Sequence, residues 1–333
     1  ISVMDILADG TINYDSIRGK VEATEREIEN FSVEKGDILF QRSSETLEDV
    51  GRANVYMDNR TAVYGGFVIR GRKIGDYNPL FFKYLLSTPL ARKRTCRMGA
   101  GAQHFNIGQD GLSKISLCFP LMEEQNKIAR LLSLIDERIA TQNKIIDKLQ
   151  SLIKGLRVCC MQRNGSDNVY LSEIAQIYQP QTISSAELTE DGFLVYGANG
   201  IIGKYKDYNH KTEQICITCR GNTCGMVNYP KPMSWITGNA MVINTDKYQD
   251  KVYKKYLYHY LSAYNFNSII SGSGQPQIVR TPLEKLKITL PTISEQKQKA
   301  MILDKIQDKI DINHNVLNLY ILQKQYLLRQ MFI

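Results

Sequence analysis

Two stretches of the chain carry apolar residues at intervals that alternate between three and four. The first reads Ile128, Leu131, Ile135, Arg138, Gln142, Ile145, Leu149, Leu152, Leu156. The second reads Leu303, Ile306, Ile310, Asn313, Leu317, Tyr320, Lys324, Leu327, Met331, less pure but still mainly apolar. This alternation is the a/d seam of a coiled coil. It predicts two helices of roughly 34 residues, each about 50 Å long at ~1.5 Å per residue. Gln142 and Asn313 fall near the middle of their seams. If the helices pack antiparallel, the two amides meet in a central polar layer that costs stability and fixes register. The alternative is that both sit at the wet edge of the seam.

The helices open with related words. PLMEEQNKIARLLSLIDERI, from Pro120, returns as PTISEQKQKAMILDKIQDKI, from Pro291. Pro120, Gln125, Ile135, Ile139 and Gln142 answer to Pro291, Gln296, Ile306, Ile310 and Asn313, 171 residues apart in every case. A period this long exceeds the ~20 to 50 residues of a solenoid repeat and marks a duplicated domain-plus-helix module. Before each helix the same order of elements is expected. DILFQR, AVYGGFVIRG and SKISLCF read as strands in the first half, and QICITCRG, SWITGNAMVINT and KLKITL take their places in the second. Helical segments, NPLFFKYLLST from Asn78 and VYKKYLYHYLSA from Val252, lie between the second and third strand of each set. The expected fold class is α+β. Its parts are a first domain over 1–120, a helix over 121–163, a second domain over 164–290 and a helix over 291–333, with the two helices pairing antiparallel about a pseudo-two-fold axis.

Both halves place a glycine-rich loop ending in an amide before the last strand: GAGAQHFNI from Gly99 and GSGQPQIV from Gly272. Neither fits a nucleotide-binding fingerprint, and Gly203-Lys204 lacks the Walker spacing. Loops of Gly, Gln, Asn and Ser on a rigid sheet suit close approach to a partner with amide donors and acceptors on display. The halves differ at their starts. Gly10 in ADGTI matches Gly200 in ANGII, yet the second half adds VYLSEIAQIYQPQTISSAELTEDG from Val169. By internal alignment, ~20 to 30 residues of the first domain are expected to be absent.

At 333 residues the chain can form two domains with separate cores. No run approaches the ~18 apolar residues of a membrane span, and ISVMDILADG has no signal-peptide pattern; a cytoplasmic protein is expected. The seven cysteines are odd in number, which favours reduced thiols. Cys216, Cys219 and Cys224 suggest a metal site only weakly, since the CxxC has no second pair. A packed strand through ICITCRG is the simpler expectation. The net charge of +8 is spread along the chain, so it permits nucleic-acid binding without demanding it. The densest basic cluster is Arg92, Lys93, Arg94 and Arg97, either a phosphate contact or a solvated helix face.

In this combination the chain resembles the specificity subunit of a type I restriction-modification system. The resemblance rests on the order, twice over, of a domain and a long helix opened by PLMEEQNKI and PTISEQKQK. It also rests on VYGANGIIGKY from Val195, KGDILFQRS from Lys35 and the GAGAQHFNI loop. It implies a non-catalytic protein with two target-recognition domains, which bind the two halves of a double-stranded DNA target separated by a spacer set by the helices. It further implies two modification (methyltransferase) subunits that use S-adenosylmethionine, and restriction-translocase subunits that use ATP and Mg, with no cofactor in this chain. The expected truncation at the start of the first domain departs from the family and puts its completeness for binding in doubt. No Asn/Asp-Pro-Pro-aromatic motif and no Walker motif occurs in the sequence.

Chemistry nominates the contacts. Arg42 with Ser43 (RSSET) and Arg220 with Asn222 and Thr223 (RGNT) end equivalent strands, where a guanidinium takes guanine O6 and N7 or a phosphate, or else forms a structural salt bridge. Gln103, His104 and Asn106 in the first domain, and Asn199, Gln275 and Gln277 in the second, can pair with adenine edges or stabilise their own loops. Tyr196, Lys204 and Tyr205 can flank DNA, with a core role as the alternative for the tyrosines. Two rival readings remain: a DNA-modifying enzyme, for which the four histidines give no constellation, and a coiled-coil scaffold, which predicts no salt-sensitive DNA binding.

Overall fold

The computed structural model describes residues 1–161, 167–198, 200–272 and 274–332. The chain forms two compact units, Ile1–Lys144 with His314–Ile333, and Ile145–Asn313. Both are α+β.

In the first unit Ile38–Gln41 is the central strand of three, antiparallel to Ala53–Val55 and to Val68–Gly71. Leu39 packs with Ile12, Val33 and Tyr56 on one face, and Phe40 with Val50, Ile69 and Ile107 on the other. Cover on both faces explains why ILF reads as a continuous apolar run. Helix Pro79–Ser87 follows. It is capped by Asn78, whose side chain accepts the Phe81 N–H at 3.0 Å, and Pro79 occupies its first turn. Phe81 and Leu85 then pack on Ala129 and Phe332, so the helix is fastened to the first long helix and to the residues just after the second.

In the second unit Ile215–Thr218 and Ala240–Asn244 form the buried centre of a four-stranded antiparallel sheet, flanked by Val227–Asn228 and Gln176–Tyr178. The hairpin of Phe193–Gly197 and Gly200–Tyr205 joins Trp235–Ile236 in a three-stranded sheet. Helix Lys254–Ala263 buries Tyr256, Leu257 and Leu261 in the main core. Lys287–Leu290 pairs with Asp167–Tyr170. The matching strand expected at Ser113–Phe119 does not form: Gln109–Ser113 is a short helix and 114–121 is irregular. Among the described residues no strand lies against this segment as Asp167–Tyr170 lies against Lys287–Leu290, so the ladder that would hold it extended is not made.

The long helices run Met122–Met161 and Ile293–Gln330. They are antiparallel neighbours within each unit. In the first, Arg138 donates to the Tyr320 hydroxyl at 3.3 Å and Lys324 pairs with Asp136 at 2.5 Å. In the second, Leu149, Ile153 and Leu156 pack with Leu303, Ile306 and Ile310, and Lys299 donates to the Cys160 carbonyl at 3.3 Å. The first seam differs from the sequence expectation. The buried stripe is Ala129, Leu132, Ile135, Gln142, Ile146 and Ile153. Leu131, Arg138, Ile145 and Leu152 are exposed, and Ile128, Leu149 and Leu156 are half-buried. On the second helix Leu303 and Ile310 are buried, while Ile306, Asn313, Leu317 and Leu327 are half-buried. The Asn313 amide donates to the Lys309 carbonyl at 2.6 Å.

Candidate nucleic-acid interface

In each unit a core strand leaves the sheet against its glycine-rich loop, and backbone bonds lock the two together. In the first, the Ile107 N–H donates to the Arg42 carbonyl at 2.9 Å, Ser43 pairs with Asn106, and Ala100 and Asn106 exchange bonds of 2.9 and 2.8 Å. In the second, the Ile278 N–H donates to the Cys219 carbonyl at 3.0 Å, Arg220 pairs with Gln277, and Ser271 and Gln277 exchange bonds of 2.8 Å. Ala100, Gly101, Asn106 and Ile107 thus correspond to Ser271, Gly272, Gln277 and Ile278 at the same 171-residue offset as the helices. Gly101 (φ +145°) and Gly272 (φ +94°) are required at the loop turns, because a Cβ would collide with the carbonyls of His104 and Gln275.

These bonds correct one expected equivalence. The counterpart of Arg42 is Cys219, and the counterpart of Arg220 is Ser43. Gln41 and Thr218 confirm the alignment, since they accept the Gly51 and Gly225 N–H groups at 3.0 and 2.8 Å. The two arginines are therefore one position out of step, and successive strand side chains face opposite sides.

Arg42, Gln103, His104 and Asn106 are exposed in the first unit, with Ser43 half-buried beside them. Arg220, Asn222, Gln275 and Gln277 are exposed in the second. Neither the Arg42 nor the Arg220 guanidinium has a partner among the described residues, so the salt bridges offered as alternatives are not found there. The Asn106 amide donates to its own loop, at the His104 carbonyl, 3.4 Å. Thr223 helps hold the scaffold: its hydroxyl and that of Thr218 donate to the Ala198 carbonyl at 3.1 and 2.7 Å, pinning the hairpin turn. Asn199 lies outside the described residues. Lys204 pairs with Asp191 at 3.2 Å on the surface, a weak contact.

Tyr196 is a correction. Its ring is buried among Cys216, Ile236, Ala240 and Val242, because its strand turns that side inward, and its hydroxyl accepts the Lys231 N–H. Tyr205 stacks edge-on against Trp235. Cys216 fills the same core as Tyr196, and burial pushes its thiol up to about 12. Of the basic cluster, Arg92 donates to the carbonyls of Glu48 and Val50 at 2.8 and 2.7 Å and Arg94 to that of Ser116, while Lys93 and Arg97 remain exposed.

Arg220 and Gln277 flank a groove of about 370 Å³ floored by Cys219, Met241 and Ile278. Gln179, Val279 and Arg280 also line it. Sequence reasoning does not single these three out. The repeat carries the signal for two of them, since Val279 and Arg280 directly follow the repeated Ile278.

The family described as the type I restriction modification DNA specificity domain matches residues 5–151 and again 164–319. The chain belongs to that family and carries two copies of its domain. Among curated relatives, it is 32% identical over 140 residues to the type I restriction enzyme EcoprrI specificity subunit of Escherichia coli, a match covering 40% of this chain and 34% of the relative. The match to the putative HindORF215P specificity subunit of Haemophilus influenzae covers 35% of that relative, so the chain spans about a third of both. A longer match, 24% over 353 residues, covers 94% of the chain and 81% of the putative MjaX specificity subunit of Methanocaldococcus jannaschii. In fold the chain is similar to the S subunit of a type I restriction-modification system from M. genitalium, with a TM-score of 0.64 at 17% identity over 91% of this chain and 84% of the other. A chain from a study of complex assembly and conformational transition of the type I R-M system gives 0.57 at 15%, over 89% and 81%.

Proposed function

We propose that this chain is a non-catalytic DNA-recognition subunit that binds a bipartite double-stranded target, one half-site per domain. The observation that carries this reading is a loop framework built twice with different side chains on display: Ser43 and Asn106 on one copy, Arg220 and Gln277 on the other. An identical scaffold with unlike polar groups suits two unlike half-sites. The paired long helices set the spacing between them. Two modification subunits dock around these helices and bring S-adenosylmethionine; restriction-translocase subunits, bringing ATP and Mg, complete the assembly.

The test is the salt dependence of duplex binding by the chain, alone and with its modification subunits. Phosphate neutralisation releases counterions, so affinity should fall steeply between about 50 and 200 mM salt. Arg220→Ala should in addition relax sequence preference in one half-site. Binding that is absent, or indifferent to salt, would favour the scaffold reading instead.

A further inference from the structure

The groove beside Arg220 is lined by two exposed side chains, Val279 and Arg280. Gln277 is exposed, Ile278 is 3% exposed and Val279 is 47% exposed, so the extended chain turns Gln277 and Val279 outward over a buried Ile278. Arg280 comes next and is also exposed. Its Nε donates to Glu284 Oε1 at 2.7 Å, while Nη1 and Nη2 have no partner among the described residues. The carboxylate steadies the arginine and leaves its fork available. The backbone alternation sets the valine between an amide and a guanidinium on the groove lining. A lone exposed valine would mean nothing; this one lines a groove together with Arg220, Gln277 and Arg280.

We infer that Val279 and Arg280 are specificity-determining residues of the second domain, acting with Arg220 and Gln277, Arg280 on a guanine edge and Val279 on a thymine methyl in the major groove. The inference rests on the DNA-recognition reading above and names the chemistry of that site. The free Nη pair matches guanine O6 and N7, and an apolar side chain with no hydrogen-bonding group matches the methyl that marks thymine. A purely phosphate-binding role would not account for the apolar lining of Cys219, Met241 and Ile278.

The first domain supplies a built-in contrast. Val279 precedes the short helix Arg280–Glu284, as Gly108 precedes Gln109–Ser113, with φ of −101° at both. The counterparts of Arg220, Gln277, Val279 and Arg280 are therefore Ser43, Asn106, Gly108 and Gln109. Glycine and glutamine offer neither the methyl contact nor the guanidinium fork. The two half-sites must differ at the bases these positions meet.

The experiment is selection from randomised duplexes by the full chain with its modification subunits, comparing wild type with Val279→Gly, Arg280→Gln and Arg280→Lys. Wild type should select a bipartite motif, and all three variants should alter one half only. Arg280→Gln should lose about 5- to 150-fold discrimination for guanine at one position. Arg280→Lys should lose the same discrimination yet keep its salt slope, because the charge remains and the fork does not. Replacing the contacted thymine by deoxyuridine should weaken wild type and leave Val279→Gly unchanged. A wild-type motif retained intact by the variants, or weakened equally at every sequence, would overturn the inference and leave the DNA-recognition reading standing. A wild type that selects no motif would instead remove that reading.

Discussion

The buried side chain of Gln125 accepts the backbone N–H of Asn78 at 2.9 Å and donates to the Pro120 carbonyl at 2.8 Å. Gln296 repeats the contact in the second unit, accepting the Tyr253 N–H at 2.8 Å and donating to the carbonyls of Pro291 and Lys251 at 2.8 and 3.1 Å. Each glutamine ties the start of a long helix to the start of the short helix of its domain. Gln125→Ala should destabilise the protein by about 1–3 kcal/mol, the cost of leaving buried backbone groups unpaired. Gln296→Ala should do the same. Urea unfolding checks both, and unchanged midpoints would refute the role.

The seam correction makes a paired prediction. Leu132 is fully buried and Leu131, its neighbour, is 41% exposed. Leu132→Ala should cost about 2–5 kcal/mol, and Leu131→Ala under about 1 kcal/mol in the isolated chain. Reversed costs would restore the seam expected from sequence.

Gly101→Ala and Gly272→Ala should each strain one loop, by about 1–3 kcal/mol, because alanine resists these backbone angles and its Cβ meets a carbonyl. The loops lie outside the cores, so DNA affinity should fall more than the unfolding midpoint. Each substitution should impair one half-site, read by binding to duplexes altered in one half at a time.

His259 couples the second unit to pH. It is buried, takes a bond from Arg157 Nε to its Nδ1 at 3.2 Å, and lies 2.9 Å from Asp304 through Nε2. With Nδ1 accepting, Nε2 is assigned the proton and donates to Asp304. Burial first, and the Arg157 charge, hold the imidazole below its ordinary value against the pull of Asp304. The unfolded chain then takes up a proton near pH ~6.5 before the folded chain does. This contribution to stability is complete above that pH and is lost as pH falls below it. Urea midpoints between pH 7.5 and 5.5 should fall, and His259→Gln should flatten that fall; an identical slope in the variant would contradict the assignment.

The duplication, the helices and the loop framework are legible in sequence because each depends on local pattern: heptads, glycine turns and a constant offset. The first seam is not, since Leu131 and Leu132, Ile145 and Ile146, and Leu152 and Ile153 are adjacent apolar pairs that satisfy the same alternation. Subtracting the offset from Leu303, Ile310, Leu317 and Lys324 gives Leu132, Ile139, Ile146 and Ile153, the stripe that is buried or half-buried. The one-residue slip between Arg42 and Arg220 hides for another reason. The strands before them follow an offset of their own, and only pairing with the downstream loop reveals it. Tyr196 shows the limit of composition, for a tyrosine beside an amide-rich turn serves a core as readily as a nucleic acid.

Two domains that read two separated half-sites should leave a bipartite mark on the genome. Genome-wide mapping of methylated adenines in cells carrying this chain with its modification subunits tests this most directly. The expected result is a bipartite asymmetric motif, with modified adenines in both halves and a fixed unspecified spacer, in which Arg220→Ala changes one half alone. A continuous motif, or one altered in both halves by that single substitution, would contradict it.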